Sequence, residues 1–184
     1  MKGRDIMKSN RLMSVLLVLI MFIVFSCSAY AAGVPATNTS LKITNYAYSS
    51  YVANVYTSGN PASGKTISLY SPSGSNCQRW KNVKCTDKYG NVDNFSYMIA
   101  CYDPAYSNLV MNYNQNTTLC TLYDYRCDTK DDYIVNYLLG DYDTVVNLVY
   151  RSRFLGASGS GNGASVYWYP RNATMADNWV FTAW

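Results

Sequence analysis

The chain has 184 residues, a formal net charge of +4 and 19 tyrosines, but neither histidine nor glutamate. Without histidine there is no Ser-His-Asp or Cys-His nucleophile system and no imidazole ligand for a metal. Without glutamate a glycosidase pair would need two aspartates at a set separation, and no spacing supplies one, so a binding protein is expected rather than an enzyme.

The first elements in chain order form a leader. Lys8 and Arg11 precede an apolar run from Val15 to Phe25, and Ala29-Tyr30-Ala31 has the small-x-small pattern of a signal peptidase site. Residues 1–31 read as a signal peptide, 32–39 as a short N-terminal segment, and 40–184 as one secreted or periplasmic domain. Lipidation at Cys27 is the lesser alternative, because bulky Phe25 stands where such sites take a small residue. The apolar run is shorter than the roughly 20 residues that span a bilayer, and no later segment spans one either. Cleavage removes Lys2, Arg4, Asp5, Lys8 and Arg11 and leaves a charge of about +1. Nothing then favours nucleic acid as a partner.

Beyond the leader, short β-branched and aromatic runs alternate with Gly, Asn, Pro and Ser. Strands are expected at 41–45, 51–56, 66–70, 79–84, 97–101, 109–113, 118–123, 133–138, 145–149, 165–169 and 179–182. One pattern recurs among them. Ile67-Ser68-Leu69-Tyr70 is followed by Trp80, Cys120-Thr121-Leu122-Tyr123 by Tyr133, and Val166-Tyr167-Trp168-Tyr169 by Trp179, ten residues after the tyrosine each time. Each has a similar opening: Ile43-Thr44-Asn45, Ile99-Ala100-Cys101 and Val145-Val146-Asn147. Units at about 40–86, 95–139 and 143–184, with about four strands each, predict an all-β, pseudo-threefold closed barrel of about twelve strands, the β-trefoil. Trp80, Tyr133 and Trp179 are then core, each contributing about 2–3 kcal/mol of burial.

Five cysteines follow the leader: Cys77, Cys85, Cys101, Cys120 and Cys127. In an oxidising compartment they predict two intrachain disulfides and one thiol that is free or bonded to a partner subunit. Connectivity stays open, except that Cys77 and Cys85, eight residues apart on one apparent strand, are too distant to bond. Asp124, Asp128, Asp131, Asp132, Asp141 and Asp143 lack calcium-loop spacing and read as a solvated face, so no metal or cofactor is expected. Gly156–Gly163 lacks the lysine and the strand–helix setting of a phosphate loop. The sequons at Asn38, Asn94, Asn116 and Asn172 are what a chain this rich in Asn, Ser and Thr produces by composition.

Cys77-Gln78-Arg79-Trp80 contains Gln-x-Trp, preceded by Ser63-Gly64 and by the run ending at Tyr70. This resembles the repeat signature of the ricin B-type β-trefoil lectins; Asp131-Asp132-Tyr133 and Asp177-Asn178-Trp179 occupy the matching places in the other units. With its leader and single divergent trefoil, the chain is also loosely similar to the receptor-binding subunits of cytolethal distending toxin-like AB toxins. The resemblance implies stacking platforms at Tyr70, Tyr123 and Tyr169, where a sugar lays its C–H face on a ring and short polar groups meet its hydroxyls. The family's polar positions carry Asn54, Ser68 and Cys77 in the first unit, Asn112, Thr121 and Lys130 in the second, and Ser158, Tyr167 and Ala176 in the third. Ligand sites are expected at Tyr70 with Asn54, Ser68 and Asn76, and at Tyr169 with Ser158 and Tyr167. The expected partners are glycans or glycosylated receptors and a protein subunit, with the chain as the binding or delivery part of a toxin-like assembly. A β-trefoil protease inhibitor and a structural surface protein are the alternatives.

Overall fold

The computed structural model describes residues 34–56, 60–86, 92–125, 135–138, 143–147, 153–170 and 176–184. The leader with Cys27, Cys127, Lys130, Tyr133, Asp128, Asp131, Asp132, Asp141 and Asn172 lie outside the described residues. The described residues form twelve strands, β1 (Leu41–Asn45), β2 (Val52–Val55), β3 (Ile67–Tyr70), β4 (Trp80–Thr86), β5 (Val92–Cys101), β6 (Leu109–Tyr113), β7 (Cys120–Asp124), β8 (Val135–Leu138), β9 (Asp143–Asn147), β10 (Arg153–Ala157), β11 (Val166–Pro170) and β12 (Asn178–Ala183). Eleven of these strands overlap the expected segments; β5 begins earlier than expected, at Val92, because it zips along β4 from Thr86↔Val92 to Trp80↔Cys101, and β10 has no counterpart among the expected segments. Among the described residues there are also two three-residue 3-10 turns, Asn76–Gln78 and Pro104–Tyr106. Among the described residues no helix is long and apolar enough to cross a membrane.

The pairings close on themselves. β1, β4, β5, β8, β9 and β12 form an antiparallel ring, each bonded to the next and β12 back to β1. The hairpins β2–β3, β6–β7 and β10–β11 each attach to one ring strand, at Thr44↔Val52, Ala100↔Val110 and Val146↔Phe154. They also clasp one another in a cycle. Lys65 O accepts from Leu122 N, Thr118 O from Trp168 N and Ala164 O from Leu69 N, each at 2.7 Å. Each donor stands one residue before a repeat tyrosine and each acceptor five residues before one, so the three hairpins are related by the threefold pattern of the sequence. The fold is the β-trefoil.

Side chains alternate across each hairpin, so the residues between the polar ones build the core. Ile43, Ile99 and Val145, from the three equivalent openings, lie together with Leu69, Leu122 and Trp168 in one buried cluster. Trp80 and Trp179 are buried in it as expected. Their indoles make matching bonds, Trp80 Nε1 donating to Ala53 O at 2.9 Å and Trp179 Nε1 to Leu155 O at 2.9 Å. A second, smaller cluster packs Cys85 with Met98, Ala100 and Val110.

The cysteine expectation needs correction. No disulfide joins Cys77, Cys85, Cys101 and Cys120 to one another. Cys120 is wholly buried in the main core, where burial pushes its thiol well up, and Cys85 belongs to the other cluster. Cys77 does not share a strand with Cys85, because Ser75 starts a 3-10 turn there by accepting from Cys77 N.

Candidate functional site

Register places Tyr70, Tyr123 and Tyr169 at one position in their hairpins, opposite Val52, Val110 and Phe154. One row further in, the facing pairs are Asn54↔Ser68, Asn112↔Thr121 and Gly156↔Tyr167. The three outer faces therefore start from one backbone plan, and their side chains decide what each can hold.

The second face carries a groove of about 480 Å³. Tyr123, Thr121, Asn112 and Asn114 line it, with Gln115 and Asn116 from the hairpin turn. Asn112 Nδ2 donates to Thr121 Oγ1 at 3.4 Å, a long bond that leaves both groups room for a further partner. Asn114 holds the turn in shape: its Oδ1 accepts from Asn116 N at 3.1 Å and from Thr117 N at 3.3 Å. Ser63 and Gly64 of the preceding repeat form the facing wall, since Gly64 N donates to Leu122 O at 2.9 Å. Gly64 has φ of +84°, a conformation that costs glycine little and other residues more. The lining offers the phenol rings of Tyr123 and Tyr113, amides and hydroxyls, and no carboxylate, lysine or arginine. Such a surface can stack on an apolar ring face and exchange hydrogen bonds around its edge.

In the first repeat Tyr70 stands open, 39 % exposed. Asn54 is buried and its Nδ2 donates to Val55 O at 2.8 Å, while Ser68 is buried with no hydrogen bond from its Oγ to a described residue. The third-repeat turn is tied down beside Tyr70, because Asn162 Oδ1 accepts from Ser71 N at 2.7 Å and Ser71 Oγ at 3.0 Å. Asn76 was expected to assist Tyr70, but its Nδ2 donates to Asp103 Oδ2 at 2.6 Å, which commits it to the second repeat. Gln78 of the Gln-x-Trp triplet is a brace, fully buried, donating to Ser71 O at 2.9 Å and accepting from Ser73 N at 2.7 Å.

The third repeat differs most. Tyr169 is only 7 % exposed, against the expectation of an open ring face. The cause is Gly156, which stands where the other repeats have Asn54 and Asn112. A Cβ there would lie 2.2 Å from Tyr169 Cε1, so the ring occupies the space the asparagine fills elsewhere. Tyr167 is half-buried and bridges Leu119, and exposed Ser158 spends its Oγ on Ser165 O at 3.2 Å. The structure thus brings Asn54, Ser68 and Tyr70 together, separates Asn76 from them, and closes the face at Tyr169. Asn114, Gln115, Asn116, Ser63 and Gly64 were missed. Their signal was the Asn-Gln-Asn run between β6 and β7.

No family model matches the sequence, and no curated relative matches it. Solved structures do. The Rhizoctonia solani agglutinin shares 17 % identity at a TM-score of 0.61, over 83 % of this chain and 98 % of that one. The C-half of the earthworm R-type lectin, solved in complex with GalNAc, shares 13 % at 0.57, over 79 % and 99 %. A mosquitocidal holotoxin shares 15 % at 0.67, over 81 % of this chain but 18 % of the toxin. Likeness at these identities is likeness of fold.

Proposed function

We propose that the protein is a carbohydrate-binding, lectin-like β-trefoil whose working site is the second-repeat groove at Tyr123. The groove itself carries the reading: about 480 Å³ lined by the rings of Tyr123 and Tyr113 and by neutral amides and hydroxyls. Structural neighbours that are lectins support it, one of them solved with GalNAc. A lining without a cation suits a neutral sugar better than a sialylated one. Stacking adds only about 1 kcal/mol to a few solvent-exposed hydrogen bonds, so one site binds in roughly the millimolar range. Avidity through several copies or a carrier then sets the working affinity. Secretion by the leader and service as the targeting subunit of a toxin-like assembly fit this chemistry, as does the trefoil within the mosquitocidal holotoxin.

The test is a glycan array probed with the protein displayed on beads, in wild-type, Tyr123→Ala, Tyr70→Ala and Tyr169→Ala forms. Tyr123→Ala is expected to lower binding of neutral glycans about fivefold with little loss of fold, the factor that about 1 kcal/mol provides. Tyr169→Ala should lower stability but not binding. A folded Tyr123→Ala protein with undiminished signal defeats the proposal.

A further inference from the structure

Cys101 and Asn45 are equivalent, each ending the opening strand of its repeat opposite a core tryptophan: Cys101↔Trp80 and Asn45↔Trp179. Cys77 and Ala176 are equivalent too, each three residues before that tryptophan. At the Asn45 junction the side chain reaches across, Nδ2 donating to Ala176 O at 2.9 Å. At the other junction the same two places hold two cysteines. The backbone continues the match, with Tyr102 N donating to Arg79 O at 3.0 Å, just as Tyr46 N donates to Asn178 O at 2.9 Å. The bond from Asn76 Nδ2 to Asp103 Oδ2 clamps the turn bearing Cys77 against the segment after Cys101. Cys77 also packs against the cluster that contains Cys101.

We propose that Cys77 and Cys101 form a disulfide under oxidising conditions, a covalent counterpart of the Asn45–Ala176 hydrogen bond. The two thiols sense each other: burial, then Cys77, then Asp103 push the Cys101 thiol up to about 12, with Lys81 opposing. Half-buried Cys77 is therefore the first to react. Its thiolate attacks a low-molecular-weight disulfide such as glutathione disulfide, releasing one thiol and forming a mixed disulfide. Cys101 sulfur then attacks Cys77 Sγ, loses its proton and releases the second thiol. Two protein thiols are oxidised and one oxidant disulfide is reduced to two thiols. The bond staples the loop from Ser71 to Arg79, which Gln78 braces from inside, to the end of β5.

The experiment treats the full chain with glutathione disulfide, alkylates it in denaturant and maps it by mass spectrometry after trypsin, which cuts between the two cysteines at Arg79, Lys81, Lys84 and Lys88. A Cys77–Cys101 peptide pair is expected, absent from Cys77→Ser and Cys101→Asn. Melting of the oxidised wild type should fall by several degrees on adding reductant, and melting of Cys101→Asn should not change. Cys101→Asn restores the residue found at the matching junction and so guards against simple misfolding. Recovery of Cys101 alkylated while Cys77 carries glutathione, or either cysteine bridged elsewhere, overturns the proposal.

Discussion

Trp80→Ala is expected to cost about 3–5 kcal/mol of stability, a large share of the roughly 5–15 kcal/mol that holds a domain folded. The side chain is fully buried at the centre of the repeat framework, so truncation empties a large volume that a closed barrel cannot collapse to fill. It also leaves Ala53 O without the indole donor 2.9 Å away, and an unsatisfied buried carbonyl adds to the loss. Trp80→Phe separates the two effects by keeping most of the apolar contact and removing the donor. Its cost should be less than half that of alanine. Urea unfolding of the three proteins measures both, and an alanine variant within about 1 kcal/mol of wild type would show that the tryptophan is no keystone.

The second large effect belongs to Gly156→Asn. The new Cβ meets Tyr169 Cε1 at 2.2 Å, Tyr169 Oη at 2.6 Å and Tyr169 Cζ at 2.8 Å, so the ring must leave its bed on the strand. Overpacking of this kind costs about 1–3 kcal/mol. With Tyr169→Ala already in place the ring is gone, and the asparagine has the surroundings that Asn54 and Asn112 have in their hairpins. The double variant should therefore be more stable than the sum of the single losses implies, by about 1 kcal/mol or more. Denaturant melts of the four proteins close the cycle, and simple additivity would mean that Gly156 is not there to seat Tyr169.

Much of the fold is legible in the sequence because it rests on periodic features. The ten-residue offset from tyrosine to core aromatic and the three matched openings give the threefold plan and the buried Trp80 and Trp179, while β10, whose Arg-Phe-Leu-Gly-Ala run does not alternate, is not among the expected strands. The choice among the three faces is not periodic. It turns on single substitutions: Gly156 in place of an asparagine lets Tyr169 fall inward, and Asp103 draws Asn76 away from Tyr70. Neither can be read from residue type, since a glycine beside a turn ordinarily signals the turn. The Asn114–Asn116 stretch carried a signal, but asparagines in a hairpin loop are ordinary turn formers as well. For the cysteines, the odd count led to bridges that three-dimensional equivalence does not support, while the one pairing it does favour needs the Asn45 junction as its guide.

The central claim, one working groove at Tyr123, is tested most directly by amide chemical-shift mapping. The isotope-labelled protein is titrated with the neutral sugar that scores highest on the array. Shifts should concentrate on the backbone of Thr121 and Tyr123 and on the side-chain amides of Asn112, Asn114 and Gln115. Ser63 and Gly64 should move as the facing wall, while Gly156 and Tyr169 stay still. The titration should saturate in the millimolar range. Shifts centred on the third hairpin, or none at saturating sugar, would contradict the account.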